Sequence, residues 1–322
     1  MSIIFHFSFA FICMVFSDSL FAQKKEFEGL LEYEVKVHSK LEMVSEQALK
    51  AMLATDEHLS VYVKQGNYLH ITGPATQYYV PKDEKVYIRF RKIDTLYYMD
   101  YNSDSSELIG IKRLSETKNI AGRTCKCVIV NTDESETKYC YDSSLYNNPE
   151  YDKHNRIGRI DVFVKETNSI WLSSSSGTSL FSLSYECQKV ESKKISDSVF
   201  ILPDLPVKKF EFAAMYKEPE FTSNKSWDKY LSSNLNADLG KKYIKIPKGE
   251  SVAKQTILVQ FMINEYGKVV NPKVANKEDV HYKLAEEAIR VIQNSPDWRP
   301  ATIFGENTFY TLEQPVTFSV SK

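Results

Sequence analysis

Apolar and polar residues alternate along the chain with two different periodicities. From Leu31 to Val37 every second residue is apolar, which predicts a half-buried strand. Apolar residues then recur three or four positions apart over Leu41–Ala54, which predicts a helix. Alternating patterns dominate the next stretch. They predict strands near Leu59–Lys64, Tyr68–Thr72, Thr76–Val80, Lys85–Arg91, Thr95–Asp100, Leu108–Leu114, Thr124–Asn131, Glu136–Tyr141, Arg159–Lys165 and Ser179–Ser192. Many short strands with little helix indicate an antiparallel sheet or partial barrel.

The last third of the chain has a mixed pattern. Ser226 predicts the cap of a short helix that runs to Asn234. Two apolar stretches, 256–264 and 268–275, then form a hairpin whose turn needs the positive φ that Gly267 supplies.

A second helix and a closing strand complete this part. Asp279 is the predicted cap of the helix, and Pro296 ends it. Its apolar stripe consists of Leu284, Ala288, Val291 and Ile292. Alternation over Tyr310–Val320 predicts the last strand, so the order of elements over 226–322 is α-β-β-α-β. Residues 213–225 show no clear period and are predicted to be a linker.

Composition narrows the class of protein. The chain has 322 residues, 43% apolar residues and a net charge of −1. This apolar content supports a folded protein of about two domains, since domains usually hold about 100 to 200 residues. Without an excess of positive charge, nucleic acid is not an expected partner.

The first residues predict export. An apolar run from Ile3 to Phe16 is shorter than the about 20 residues that cross a membrane, and it resembles the core of a cleavable signal. We place cleavage after Ala22, so that residues 1–22 are a signal peptide, and expect a periplasmic protein associated with the cell envelope. The alternative is an uncleaved anchor.

Four cysteines follow the predicted signal. They are Cys125, Cys127, Cys140 and Cys187, an even number in a chain sent to an oxidising compartment. A turn at 133–135 brings Cys140 opposite Cys127, which predicts that pair and leaves Cys125 with Cys187. A zinc site is the rival interpretation, although a Cys-x-Cys pair on a strand does not match the usual Cys-x2-Cys spacing. We therefore expect no metal.

Residues 226–322 resemble the C-terminal domain of TonB-type energy transducers. The resemblance rests on Thr256–Val269, Leu284–Ala288, the Pro-x-Trp-x-Pro step of Pro296–Pro300, Gly305, and the Pro-Val-x-Phe ending of Gln314–Phe318. It implies a small periplasmic domain that grips an extended peptide, in that family a segment of an outer-membrane transporter. No Pro-rich spacer is present, so energy coupling is not expected.

Residues 27–212 resemble the GLPGLI-like secreted β proteins, which are similar to the half-barrel lipoprotein carriers of the LolA kind. The stretches concerned are Phe27–Tyr33, Ile120–Lys126, Thr137–Asp142 and Asp197–Pro203. This resemblance implies an incomplete antiparallel barrel crossed by helices. The fold class expected for the whole chain is thus α+β, with a half-barrel-like β-rich domain over 23–212 and the small domain over 226–322.

The edge of the closing strand is the first candidate site. Pro315 has no amide hydrogen and is tolerated chiefly on edge strands. An unpaired edge can bind an extended peptide by main-chain hydrogen bonds. The predicted docking residues are Phe309, Tyr310, Thr311, Leu312, Glu313 and Gln314. The alternative is that Pro315 only protects the edge from aggregation. Trp298 is interpreted as a core residue and not as a ligand contact.

Catalytic motifs are not found. The sequence lacks His-Glu-x2-His, Gly-x-Ser-x-Gly and a Gly-rich phosphate loop, and its histidines are widely spaced. The acidic pairs are interpreted as solvated turns or a helix face, and Ser173–Ser176 as a polar turn before a strand. We expect a non-enzymatic protein without a cofactor. It is either an envelope adaptor that captures a protein partner, for instance an outer-membrane TonB-dependent transporter, or a carrier of a lipid or lipopeptide.

Overall fold

A computed structural model describes residues 24–40, 44–178 and 181–322. The predicted signal over residues 1–22 and the first residues of the helix predicted from Leu41 lie outside this described part. Within it, the chain is rich in strands, as the alternating patterns predict, and most of them pair antiparallel.

Residues 29–209 form a sheet of twelve strands. The strands are β1 (Gly29–Ser39), β2 (His58–Lys64), β3 (Asn67–Ile71), β4 (Ala75–Val80), β5 (Lys85–Phe90), β6 (Leu96–Asp100), β7 (Leu108–Ile120), β8 (Arg123–Thr132), β9 (Glu136–Tyr146), β10 (Ser169–Gly177), β11 (Phe181–Ser192) and β12 (Val207–Lys209). Their spatial order is β12-β6-β5-β4-β3-β2-β1-β11-β10-β9-β8-β7. Strand β12 runs parallel to β6, which makes the sheet mixed.

The sheet curves strongly at its β7 end. Lys118 on β7 forms an ion pair with Glu186 on β11, although β8, β9 and β10 lie between these strands in the sheet order. Leu31 of β1, Val61 of β2 and Leu172 of β10 belong to one buried apolar cluster of this sheet. A coarse expectation of a curved β-rich domain is therefore met.

Two elements of this domain differ from the prediction. The stretch predicted as a strand over Arg159–Lys165 is helix α2 (Ile160–Thr167), which follows helix α1 (Glu46–Met52) in the chain. Its buried residues Phe163, Val164 and Thr167 lie on one helical face, and Asn168 ends the helix in the left-handed conformation. The serine run, interpreted as a turn, lies instead within strand β10, whose Ser173 pairs with Cys140.

The C-terminal part has its own sheet and core. Its helices are α4 (Trp227–Asn234), α5 (Asp238–Tyr243) and α6 (Tyr282–Gln293), and its sheet contains β15 (Val252–Ile263), β16 (Val269–Val274) and β20 (Tyr310–Ser321) in the order β16-β15-β20. Ser226 caps α4 as predicted, and the predicted stripe of α6 is buried. The cap of α6 is His281 and not Asp279, and the helix ends before Pro296, at Gln293.

Short elements join the two parts. Helix α3 (Phe212–Met215) and strands β13 (Tyr216–Lys217) and β14 (Glu220–Phe221) occupy the segment predicted as a linker. Strand β13 pairs with β18 (Ala301–Ile303), and β14 pairs with β17 (Trp298–Arg299). Strand β18 also forms a hairpin with β19 (Glu306–Thr308). At the tip of this hairpin, Phe304 stacks on Phe90 of β5 with 4.2 Å between ring centroids. The segment is therefore ordered, and the C-terminal part packs against the large sheet.

Candidate ligand cavity and edge strand

The concave face of the large sheet contains a cavity of about 360 Å³. Strands β2, β3 and β4 contribute one wall and β9, β10 and β11 the other, while α2 and the residues after α1 cover it. The apolar lining includes Leu59, Ile160, Phe163, Ile170, Trp171 and Leu183. The volume lies within the range of about 300–1,000 Å³ that is usual for small-molecule sites.

Aromatic side chains on alternate positions of two strands face this space. Tyr68 and His70 are on β3 and Tyr79 is on β4, and all three line the cavity. The His70 ring lies 4.6 Å from the Tyr79 ring, centroid to centroid. Burial lowers the pKa of His70 to about 4, so the imidazole is neutral at neutral pH. This wall is therefore uncharged and suits an apolar or aromatic group.

A buried carboxylate stands on the lining. Asp152 is 1% exposed and follows the 3₁₀ turn Pro149–Tyr151. Its Oδ2 accepts from Asn147 Nδ2 at 3.0 Å and its Oδ1 from Asn155 Nδ2 at 3.2 Å, and the Tyr68 hydroxyl is the third polar group near it. Burial raises the pKa of Asp152, while these hydrogen bonds oppose the rise. All three partners are neutral, so within the described chain the charge of Asp152 has no counterion in its immediate shell.

One acceptor beside this carboxylate lacks a partner. Asn155 is 2% exposed, and its Oδ1 makes no hydrogen bond within the described residues. The backbone of Asn155 is held on both sides, since its N–H donates to Asp152 O and its carbonyl accepts from Asp161 N–H. The reversed amide would set Oδ1 against the carboxylate, so Asp152 selects this orientation. Buried acceptors without partners are uncommon, and this oxygen can still accept a hydrogen bond from a further donor.

The predicted edge strand is found at an edge. Strand β20 pairs with β15 along its whole length and ends the three-stranded sheet on that side. Four of the six predicted docking side chains are engaged within the chain, among them Leu312, which packs against the C-terminal core. Phe309 packs near Val37 and Ala48, Tyr310 donates to Glu218 at 2.9 Å, and Gln314 accepts from Trp227 Nε1 at 2.7 Å.

Two docking residues, Thr311 and Glu313, have exposed side chains, whereas Leu312 is half-buried. A shallow groove of about 410 Å³ lies between the start of β20 and the segment 213–218, and Thr311 contributes to it. Trp298, in contrast, is buried among Phe221, Trp227 and Phe261, which confirms its interpretation as a core residue.

The cysteines divide into a bonded pair and two thiols. Cys127 and Cys140 face each other across β8 and β9 and form the predicted disulfide. The second predicted pairing is wrong for this structure, because Cys125 and Cys187 are free and buried on β8 and β11, with two strands between them in the sheet. Their Sγ atoms approach the carbonyl oxygens of Arg123 and Lys189 instead. Burial raises the pKa of Cys187 to about 11, which leaves little thiolate at neutral pH.

Neither a metal site nor a membrane-spanning helix is present in the described ranges. Over residues 24–40, 44–178 and 181–322, no group of three His, Cys, Asp or Glu side chains is arranged to hold a metal ion. In the same ranges, no helix has the length and apolar character needed to cross a bilayer.

The sequence did not single out the cavity residues. Asp152 and Asn155 lie in a polar run that looks like a solvated loop, and His70 is one of several widely spaced histidines. Only the alternation of Tyr68 and His70 on β3 placed two of them on one face. The polar run becomes buried because it leads into α2, which covers the concave sheet.

Comparisons with known proteins assign the chain to no family. No family model matches the chain. No curated protein matches it either. Among solved structures, two crystal forms of PNGF-II are similar, with TM-scores of 0.35 and 0.33 and 11% and 12% sequence identity. The matches cover 74% of this chain but only 45% and 44% of those chains, less than half of their length. TM-scores this low do not establish a common fold.

Proposed function

We propose that the protein binds an amphipathic small molecule with a hydrocarbon chain, such as a lipid or the acyl part of a lipopeptide, in the cavity of its β-rich domain. The observation that carries the proposal is the cavity itself, a space of about 360 Å³ on the concave sheet with an apolar wall and a polar end. The role is one of binding or carriage rather than catalysis, and the export expected from the first residues makes the cell envelope its setting.

The apolar wall explains why a hydrocarbon chain suits the site. Phe163 and Ile170 are buried side chains of this wall, and Leu183 and Trp171 line it with them. Each methylene removed from water into such surroundings gains about 0.8 kcal/mol. That gain corresponds to an affinity increase of about fourfold per methylene.

A chain-length series tests the proposal. The full chain is titrated calorimetrically with octanol, decanol and dodecanol below their aggregation limits. We expect the dissociation constant to fall about three- to fourfold per methylene until the cavity is full. An affinity that does not depend on chain length contradicts the proposal.

A matched pair of variants locates the binding. Gln77 lines the cavity on β4, while its neighbour Thr76 does not and points to the other face of the strand. Gln77→Trp fills the space and is expected to weaken decanol binding at least about tenfold, whereas Thr76→Trp leaves it within about twofold. Equal effects of the two variants would place the ligand elsewhere.

A second candidate function rests on the edge position of β20. We propose that the strand captures an extended segment of an envelope protein by main-chain pairing at Thr311–Glu313, as the TonB-like resemblance of residues 226–322 implies. The exposed side chains of Thr311 and Glu313 and the adjoining groove support it. An outer-membrane TonB-dependent transporter is the kind of partner proposed, and this chain supplies no energy coupling.

Site-specific crosslinking tests this second function. A photoreactive residue at Thr311 reports on the edge, and one at Lys283, on helix α6, is the control. Capture of an outer-membrane transporter at Thr311 and not at Lys283 supports strand capture. The same products at both positions, or none at Thr311, contradict it.

A further inference from the structure

The polar end of the cavity presents two neighbouring acceptors. Asp152 offers a carboxylate, and Asn155 offers an Oδ1 that no described group satisfies, although both residues are almost completely buried. The three groups that donate to or contact the carboxylate are neutral. Burying a carboxylate without a counterion is costly, so a positive charge placed here would be stabilised.

The surrounding rings favour the same kind of ligand. Tyr68, Tyr79, Trp171 and Tyr185 all line the cavity that Asp152 and Asn155 share. The faces of aromatic rings carry negative partial charge and attract organic cations, more strongly where water is excluded. A carboxylate, an unsatisfied acceptor and an aromatic lining together favour a ligand group that carries a positive charge and donates hydrogen bonds.

We infer that the cavity selects an amphiphile with a protonated amine at its head, whose N–H groups donate to Asn155 Oδ1 and to the Asp152 carboxylate while its chain packs along Phe163, Ile170 and Leu183. The inference rests on the proposed function, because it assigns the head group of the same ligand. An anionic head group placed at the same point would face the Asp152 carboxylate and Asn155 Oδ1, and these contacts disfavour it.

A head-group series at constant chain length tests the inference on the unaltered full chain. The probes are decylamine, decanol and decanoate, each titrated calorimetrically at pH 7.5 below its aggregation limit. We expect decylamine to bind at least about tenfold more tightly than decanol, and decanoate to bind most weakly. Equal affinities of amine and alcohol, or a tighter decanoate, overturn the inference.

Three variants locate the selection. Asp152→Asn is expected to reduce the preference for amine over alcohol to about threefold or less, and Asn155→Ala to weaken amine binding about tenfold. Leu183→Ala is the control, since it removes apolar contact and should weaken amine and alcohol alike. An amine preference that survives Asp152→Asn overturns the inference. If Asp152→Asn does not fold, the series on the unaltered chain decides.

The outcomes separate the inference from the proposed function. Binding that depends on chain length but ignores the head group refutes the amine and leaves the cavity proposal standing. No binding of any of the probes refutes the cavity proposal and the inference with it.

Discussion

The two domains use buried aromatic rings in opposite ways. In the C-terminal part, Trp298 is enclosed by other rings, and the buried Tyr230 hydroxyl lies within hydrogen-bond distance of two backbone carbonyls, those of Val291 and Asn294. In the β-rich domain, the rings of Tyr68 and Tyr79 border a space, and the nearby Asn155 Oδ1 lacks a partner within the described residues. The first arrangement fills a core and the second leaves room and hydrogen-bonding capacity for a ligand.

This difference also distinguishes what each domain can offer a partner. The C-terminal sheet has its interior closed and exposes a main-chain edge at β20. The β-rich sheet is wrapped around a side-chain cavity. The recognition proposed for the first would depend on backbone pairing and that proposed for the second on side-chain chemistry, so we expect mutations to separate the two proposed functions.

The sharpest test of the comparison is a pair of phenylalanine truncations. Phe318 is buried in the C-terminal core, where its removal leaves a new void, and Phe318→Ala should cost about 3–5 kcal/mol of unfolding free energy. Phe163 is equally buried but borders the existing cavity, so Phe163→Ala should cost less, about 2–3 kcal/mol. Denaturant unfolding measures both, and equal costs would contradict the view that only one domain is filled.

Two glycines with positive φ extend the test to the backbone. A Cβ at Gly267 would lie 2.0 Å from Trp298 O, whereas one at Gly122, in the β8 hairpin, meets nothing within 4 Å. Gly267→Ala should therefore cost about 2–5 kcal/mol, from conformational strain and overlap together, and Gly122→Ala about 1–2 kcal/mol from strain alone. Thermal unfolding of the two variants shows which substitution lowers stability more. Equal losses, or a larger loss for Gly122→Ala, would mean that the packing around Trp298 is looser than described.

The disulfide supports only the β-rich domain. Cys127 and Cys140 are 13 residues apart, and loss of a crosslink of this span should cost about 3 kcal/mol. The double variant Cys127→Ala/Cys140→Ala is compared with Cys125→Ala, which removes a buried thiol from the same strand without removing a crosslink. Similar unfolding midpoints for the two proteins would show that the crosslink adds little.

The smallest expected effect is a loss of folding stability at acid pH. The pKa of His70 is lowered to about 4, below its ordinary value near 6.5, so the unfolded chain takes up a proton between these pH values that the folded protein excludes. Stability from this group is complete above pH 6.5 and is lost as pH falls through 4, by about 1–3 kcal/mol. Asp152, whose pKa is raised, acts in the opposite direction.

A variant isolates the contribution of the histidine. His70→Gln should be less sensitive to acid than the unaltered protein, and the difference between their unfolding free energies should change between pH 7 and pH 4. A constant difference across this range would mean that His70 titrates normally and is not desolvated in the cavity.

The elements of the C-terminal part could be predicted because their signals are local. Ser226 caps α4, Gly267 takes the positive φ of the hairpin turn, and the stripe at Leu284, Ala288 and Val291 is the buried face of α6. Each of these follows from spacing or from one residue's conformational preference. The same reasoning paired Cys127 with Cys140 across a short turn.

The cavity could not be predicted because its causes are not local. Residues 160–164 are rich in β-branched and aromatic side chains, as strands often are, but contacts with the concave sheet favour a helix that buries Phe163 and Val164. The burial of Asp152 and Asn155 follows from where that helix packs. No pattern within the segment itself reports it.

Native mass spectrometry of the protein isolated gently from the cells that produce it tests the central claim most directly. The account predicts a bound species of amphiphile mass on the unaltered protein and on Thr76→Trp, and its loss from Gln77→Trp. Spectra of bare protein for all three, or a bound species that persists in Gln77→Trp, would contradict the account.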